Sequence, residues 1–348
     1  MKVEVKARNR ALQFSAKATE SVLYAGLRHA LKLPYECATG TCGTCKAKLV
    51  SGEIQDLWPD APGKKNLKLE RGEFLMCQCA PRGDLSVEVG AFLSEMDPGA
   101  VVPSNFTGTI RNSRMLTHDV MSFEVDLDER RDFDAGQFVA VRFPGVQGYR
   151  GYSMVNYKRR AETLEFVVKK VPGGRLTEKL FGEAPDGTDV EMFGPLGVAT
   201  FYPALDKNLL CIAGGSGIAG IMSILSRASQ ENYFKNHHGH VFFGVRTSKD
   251  LFYAKELEAL KAGAPGSLHI VIALSHEESA PTEFQRMHPT LEFDTGWVHE
   301  VAGRRMKGAY DNVIAYLAGP PPAVDASIRM LLLEARLTTD SIRYDKFS

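Results

Sequence analysis

Cys37-Ala38-Thr39-Gly40-Thr41-Cys42-Gly43-Thr44-Cys45, completed by Cys77, is the stretch from which the rest of the chain can be read. Four residues separate the first two cysteines, two separate the next pair, and thirty-one precede the last. This is a ligand spacing of a [2Fe-2S] cluster, with Cys37, Cys42, Cys45 and Cys77 as the expected metal ligands. A loop that wraps three thiolates around one cluster needs tight turns, and Gly40 and Gly43 supply the φ angles and the close approach of amides to sulfur. Zinc would want two paired knuckles, but only Cys42 and Cys45 have that spacing, and Cys77-Gln78-Cys79 is too close for a second. A disulfide framework suits small secreted domains, whereas this chain has 348 residues, six cysteines and no signal peptide. Cys79 and Cys211 are expected to be structural thiols.

The length allows two or three domains, and a formal net charge of zero with 44% hydrophobic residues describes an ordinary globular protein. That balance offers nothing to nucleic acid. The N-terminus, Met1-Lys2-Val3-Glu4-Val5-Lys6, alternates like a strand and lacks the apolar run of a targeting segment. The one long apolar run, Leu209 to Leu225, carries four glycines and two serines and no flanking anchors, so it reads as a buried strand-turn-helix and not as a membrane span. The expected compartment is the cytoplasm, where thiolates stay reduced.

Residues 1–97 read as two strands, a helix from Glu20 to Leu31 stopped by Pro34, the cluster loop, a strand at Lys46 to Val50 turned by Ser51-Gly52, and a return to Cys77. With the cysteine spacing this resembles the plant-type ferredoxin fold, a β-grasp sheet with its cluster near the surface. The segment holds 14 Lys plus Arg against 12 Asp plus Glu, so net charge steers it weakly toward a donor. A covalently attached donor needs no steering, because tethering replaces encounter by a high effective concentration. Residues 98–104, with Pro98 and Pro103, read as that short, stiff linker.

From 105 to 204 the chain is strand-rich, with runs such as Phe138 to Phe143 and Leu164 to Val168 between Gly and Pro turns, the pattern of an antiparallel β-barrel. Within it lie Arg150-Gly151-Tyr152-Ser153 and, twenty residues on, Gly173-Gly174-Arg175-Leu176-Thr177 opening a helix. Each piece alone reads as a strand end and a loop. Together they offer an arginine, an aromatic ring, a hydroxyl and a helix N-terminus, the set that a flavin with a pyrophosphate tail requires. In this order they resemble the flavin barrel of the ferredoxin-NADP⁺ reductase superfamily, whose R-x-Y-S motif Arg150, Tyr152 and Ser153 match. The resemblance implies FAD, with Tyr152 on the isoalloxazine, Ser153 near N5, Arg150 at phosphate, and Gly174, Arg175 and Thr177 around the pyrophosphate.

Residues 205–348 change to βα alternation, with strands expected at Leu209 to Ala213, Val241 to Val245, Ile270 to Leu274, Val313 to Ala318 and a short last one, a doubly wound parallel sheet. Its first turn, Gly214-Gly215-Ser216-Gly217-Ile218-Ala219-Gly220, carries G-x-G-x-x-G between a strand and a helix, where backbone amides and a helix N-terminus face a dinucleotide pyrophosphate. The superfamily usually has proline where this chain has Gly220, and Cys-Gly-Pro-Pro where it has Ala318-Gly319-Pro320-Pro321. By the same resemblance Gly214, Gly215, Gly217, Gly319 and Pro320 border the nicotinamide nucleotide. Gly244-Val245-Arg246 with Asp250-Leu251 resembles the family's second-strand signature, and Arg246 stands where a nucleotide 2′-substituent is read. NADH is the expected donor, on the likeness of the whole chain to NADH-using reductases. His237-His238-Gly239-His240 lacks a carboxylate or cysteine companion and reads as a loop. No Cys-x-His pair or G-x-S-x-G motif occurs, so neither a Rieske cluster nor a serine nucleophile is expected.

The order ferredoxin, flavin barrel, nicotinamide domain resembles the reductase components of bacterial multicomponent oxygenases over essentially the full chain. Tyr35-Glu36-Cys37, Leu57-Trp58-Pro59-Asp60-Ala61-Pro62-Gly63 and Tyr344-Asp345-Lys346-Phe347 look most like the reductases of soluble di-iron toluene-type monooxygenases. Reductases of Rieske ring-hydroxylating dioxygenases share the modules and are the alternative; a non-catalytic redox sensor would need only residues 1–97. A nicotinamide gives two electrons as hydride and the cluster takes one, so a flavin must stand between them. The partner implied is an oxygenase or hydroxylase component, or an intermediate ferredoxin, met by a monomer with no membrane or nucleic-acid contact. Hydroxylation belongs to that partner, since this chain has no Glu-x-x-His pair for a di-iron centre. Phe347 follows the alternating Ser341-Ile342-Arg343-Tyr344, and strands of such sheets end at the ligand crevice. The resemblance therefore implies a terminal aromatic gate beside Tyr152 and Ser153.

Overall fold

Val3 and Val5 are fully buried while their neighbours in the strand Lys2–Lys6 face outward, the period-two pattern of a strand with one face on a core. The computed structural model describes residues 1–182 and 185–347. Lys2–Lys6 pairs antiparallel with Ala11–Ser15 and parallel with Leu85–Glu88. Lys46–Ser51 and Glu73–Leu75 complete a five-stranded mixed sheet. The helix Val22–Arg28 crosses it, capped at its start by Ser21 Oγ, which accepts from Tyr24 N.

That helix is shorter than its sequence pattern suggests. Instead of running on to Leu31, the chain reverses at Ala30, whose φ is +59°. Leu31–Lys32 then pairs with Ser94–Glu95, and Met96 N donates to Ala30 O. Those strand bonds compete successfully with the last helical turn. Val22 to Leu27 are all buried, so the helix has no solvent face. The first module covers one side and the second covers the other.

The second module is a six-stranded sheet in the order Arg150–Ser153, Phe138–Arg142, Asp189–Leu196, Ser104–Met115, Val120–Arg131, Ala161–Lys169, every pair antiparallel. Its two edges meet just beyond Ser153, where Val155 N donates to Glu165 O at 2.9 Å, and this curls the sheet into a barrel. The third module is a six-stranded, wholly parallel sheet: Glu292–Thr295, Leu268–Leu274, Gly239–Val245, Asn208–Gly214, Val313–Gly319, Ile342–Lys346. Glu292–Thr295 is one strand more than the sequence pattern offered, since four half-buried residues, Glu-Phe-Asp-Thr, show no apolar run at this sheet edge.

The apolar interior does not respect the modules. Phe138, Ala140, Phe193 and Leu196 of the barrel join the core of the first module, and the barrel interior continues into one face of the parallel sheet. Among the described residues, no helix is long and apolar enough to cross a membrane.

Candidate functional site

The four cysteines of the loop converge. Cys45 Sγ and Cys77 Sγ lie 3.2 Å apart. Thr39 N and Cys42 N donate to Cys37 Sγ at 3.5 and 3.4 Å, Thr44 N to Cys42 Sγ at 3.4 Å, and Gln78 Nε2 to Cys77 Sγ at 3.4 Å. Gly40 and Gly43, at φ +91° and +88°, make the turns that aim these amides inward. The Cys42 thiol hydrogen bond holds Cys37 down to about 4, while donating that hydrogen pushes Cys42 up, and burial followed by the Cys45 thiol pushes Cys77 up. Four sulfurs so crowded ionise together only around a cation, and amide donors aimed at sulfur suit thiolate ligands, so the donor set fits a [2Fe-2S] cluster. Cys37, Cys45 and Cys77 are buried; Cys42, Gly43 and Thr44 form the open side. Cys79 and Cys211 are buried thiols apart from this set, each pushed up to about 12 by burial.

One strand connects this loop to everything else. A Cβ placed on Gly151 would lie 3.8 Å from Cys37 O, so Arg150–Ser153 runs along the cluster loop. At its far end Ser153 is buried, and its Oγ lies 3.6 Å from where a Cβ on Gly220 would stand. Among the described residues its hydroxyl has no hydrogen-bond partner. Tyr152 sits half-buried between, edge-on to Phe143 at 6.5 Å, and burial raises its phenol. Arg150 lies 4.5 Å from the Trp58 ring and donates to Gln147 O and Tyr149 O. Burial and the nearby Arg175 press the Arg150 guanidinium below its usual value. Two neighbouring cations with no ion-pair partner among the described residues suit a pyrophosphate. Arg175 opens the helix Arg175–Gly182, after Gly174. The Thr177 hydroxyl is turned inward: it accepts from Val171 N at 3.1 Å and lies 3.0 Å from Val171 O, closing the loop 171–174. Thr177 thus shapes the loop from inside.

The third part of the site is backbone. The order of the parallel sheet reverses between Asn208–Gly214 and Val313–Gly319, and ligands of such sheets bind at the carboxyl ends flanking that switch point. There a Cβ on Gly217 would fall 2.4 Å from Ala318 O, and one on Gly214 would meet Pro320 Cδ at 3.3 Å. The turn and the Gly319-Pro320 segment touch, leaving Gly215, at φ +54°, with open space on its outer side. Arg246 is exposed at the end of Gly239–Val245. The histidine tract lies at the other end of that strand and serves packing. His237 stacks on Tyr233 at 4.0 Å and meets Asp206 Oδ1 at 2.7 Å; His240 stacks on His269 at 5.0 Å, with burial holding it down to about 4.

The last strand closes the triangle. Tyr344 Oη donates to Glu36 Oε1 at 3.3 Å, Thr44 Oγ1 donates to Glu36 Oε2 at 3.0 Å, and Gly197 N donates to Tyr35 Oη at 3.0 Å. The two residues before Cys37 are therefore held by the third and second modules. Phe347 N donates to Gly319 O, and its ring meets edge-on at 6.0 Å that of Phe138, the residue paired with Ser153 in the barrel sheet. The carboxyl end of the chain thus reaches the crevice, and the ring packs on the first module's core. Sequence reading missed Trp58, Tyr24 and Glu36 as site residues. Tyr24 stacks on Phe193 at 4.1 Å and donates to Ala38 O, so a helix residue braces the cluster loop against the barrel. An aromatic inside a buried helix pattern carries no signal of such a role.

Residues 5–82 match the family described as 2Fe-2S iron-sulfur cluster binding domain, 107–201 the oxidoreductase FAD-binding domain, and 211–328 the oxidoreductase NAD-binding domain. The ferredoxin–NAD(P)(+) reductase CarAd of Metapseudomonas resinovorans is 33% identical over 332 residues, 94% of each chain. The xylene/toluene monooxygenase electron transfer component XylA of Pseudomonas putida is 30% identical, over 93% of this chain and 87% of its own. A solved structure of the ferredoxin reductase in carbazole 1,9a-dioxygenase superposes with a TM-score of 0.83 at 30% identity, covering 100% of this chain and 99% of that one. With cluster loop, flavin strand and dinucleotide turn meeting in one chain, this protein belongs to the three-module ferredoxin–NAD(P)⁺ reductases, oxidoreductases that use a [2Fe-2S] cluster, FAD and a nicotinamide nucleotide.

Proposed function

We propose that this chain is the NADH-dependent reductase component of a bacterial multicomponent hydrocarbon monooxygenase, passing electrons from NADH through FAD and the cluster to the oxygenase component. The observation that carries it is the strand Arg150–Ser153, which runs beside Cys37 at Gly151 and beside Gly220 of the nicotinamide module at Ser153. A hydride donor, a flavin that divides its electron pair and a one-electron cluster are the chemistry those three contacts serve. Arg150 and Arg175, with Gly174, hold the FAD pyrophosphate, Thr177 fixes their loop, and Tyr152 and Ser153 border the isoalloxazine. Gly214, Gly215 and Gly217 bind the nucleotide pyrophosphate, Gly319 and Pro320 shape the nicotinamide end, and Phe347 gates it. Electrons leave by the open Cys42–Thr44 side. The modules divide near residues 97, 104 and 204.

The monooxygenase reading is supported by the three segments that resemble toluene-type reductases, which converge on one junction: Tyr344 on Glu36, Trp58 on Arg150, and Phe347 on Phe138. It is also supported by the likeness to XylA and to the reductase component of an alkene monooxygenase system of Xanthobacter autotrophicus, 30% identical over 96% of this chain. A second reading, reductase of a Rieske dioxygenase, draws on the likeness to CarAd. The residues proposed for all three sites lie within one copy, which favours a monomer, and four cysteines needed as reduced thiolates favour the cytoplasm. Anaerobic titration is the test. NADH is expected to bleach flavin and cluster bands together, and the reduced protein to support turnover of a di-iron hydroxylase but not reduction of a Rieske ferredoxin. Bleaching of the flavin without the cluster contradicts the reading.

A further inference from the structure

The flavin strand is held from outside its own module. Residues 145–149 lead from Phe138–Arg142 into Arg150–Ser153, and the first module meets three of them in succession. Gln147 Nε2 donates to Leu57 O at 3.2 Å. Gly148, at φ +78°, lies against the Trp58 ring, where even a Cβ would stand 2.7 Å from Cε3. Tyr149 meets Tyr24 edge-on at 5.3 Å. Arg150 follows at once, its guanidinium carbon 4.5 Å from the centre of the Trp58 ring. Trp58 is itself tied to the cluster loop on both sides. Leu57 N donates to Gln78 O at 2.8 Å, beside Cys77, and Gly63 N donates to Gly40 O at 2.8 Å. Trp58 N donates to Asp56 Oδ1 at 3.1 Å, and the ring is almost wholly buried, so it cannot turn away without unpacking its segment.

Arg150, by contrast, is a long side chain with few ties of its own. Its Nη1 donates to Gln147 O at 3.3 Å and to Tyr149 O at 3.0 Å. Among the described residues its Nε and Nη2 have no hydrogen-bond partner, and it forms no ion pair. Nε and Nη2 make up one edge of the planar fork, an edge able to meet two phosphate oxygens at once. The two carbonyls hold one corner of the guanidinium, and the Trp58 face fixes its plane. Tryptophan is the aromatic that attracts a cation most strongly. A guanidinium oriented in advance loses less freedom when its anion arrives.

We propose that the first module completes the flavin site: Trp58 is a positioning residue that sets the plane of Arg150 and so presents its free Nε–Nη2 edge to the FAD pyrophosphate. Arg150 touches the cofactor, and Trp58 acts through Arg150. The assignment rests on the reading of Arg150 as a phosphate contact.

The experiment measures release of FAD from the diluted full-length holoenzyme by recovery of free-flavin fluorescence, in wild type, W58L, W58F, R150A and W58L/R150A, with cluster absorbance recorded for each. Leucine keeps apolar bulk and removes the ring, whereas phenylalanine keeps a weaker ring face. R150A is expected to raise the FAD dissociation constant about thirtyfold, the loss of charge-assisted hydrogen bonds to phosphate. W58L should raise it about fivefold and W58F less than about twofold. On the R150A background W58L should change it less than about twofold, because Trp58 acts through Arg150. Equal loss from W58L on both backgrounds means packing alone and overturns the assignment, as does unchanged affinity in W58L beside a weakened R150A. If W58L does not assemble its cluster, fluorinated tryptophans incorporated into W297F protein decide, since Trp297 is the one other tryptophan. Fluorine drains charge from the ring face and nearly keeps its shape, so the dissociation constant should climb with each fluorine added, and a flat series overturns the assignment. Unchanged affinity in R150A overturns the reading of Arg150, and the assignment with it.

Discussion

The cluster loop and the nicotinamide crevice are both binding sites at element ends, but they are written into the chain differently. The cluster site is made of side chains: three of its four ligands fall within nine residues, Cys37 to Cys45, and the amides that donate to sulfur come from the same loop or from Gln78. The crevice is made of backbone brought together from distant positions, with Gly217 against Ala318 and Gly214 against Pro320. Local sites depend on residue chemistry and assembled sites on strand order, so the two should fail differently.

The largest effect is expected at the local site. Cys42→Ser removes one ligand in four, and the cluster should be lost together with all transfer to an acceptor that draws on it. NADH oxidation with ferricyanide, taken from the flavin, should keep more than about half its rate, because the barrel and parallel sheet share a core that excludes the cluster loop. Metal analysis, the visible spectrum and the two assays check this. Equal loss of both activities in a flavin-loaded protein breaks the contrast.

At the assembled site the comparable change is steric. Gly217→Val forces a side chain onto Ala318 O, where even a Cβ would stand 2.4 Å away. The turn must move, at roughly 1–3 kcal/mol, and the KM for NADH should rise about tenfold or more while the cluster spectrum stays unchanged. Steady-state kinetics beside that spectrum is the measurement, and an altered cluster would mean that the sites are not separable.

The smallest effect concerns the strand that joins them. Burial, then the charge of Glu36, pushes the Asp345 carboxyl up to about 7, and Tyr35 lies close by. An unfolded carboxyl titrates near 4, so between about pH 4 and 7 the folded chain holds a proton that the unfolded chain releases. The stability this contributes is full below the unfolded value and is lost as pH rises through about 7. With partial exposure the loss should be on the order of 2 kcal/mol, about half that of complete burial. Melting temperatures from pH 5 to 8 should fall more steeply in wild type than in Asp345→Asn; parallel curves would mean that Asp345 does not respond to the junction.

Cys37, Cys42, Cys45 and Cys77, the R-x-Y-S strand and the glycine-rich turn were legible because each depends on residue type at fixed short spacing, and such spacing survives in a linear string. The helix end at Arg28 was not, because Leu31–Lys32 finds its partner in Ser94–Glu95, more than sixty residues on. Nor was the strand Glu292–Thr295, whose half-buried side chains carry no period.

What the sequence by itself determined was the module order and the chemistry each motif offers, since composition and local spacing set which groups can bind iron or phosphate. What only the tertiary structure decided was their adjacency. Gly151 lies beside Cys37, Trp58 on Arg150 and Tyr344 on Glu36, and these pairs are separated by between 92 and 308 residues. Their meeting is set by strand order and by shared apolar cores, properties of the whole packed chain that no local spacing encodes.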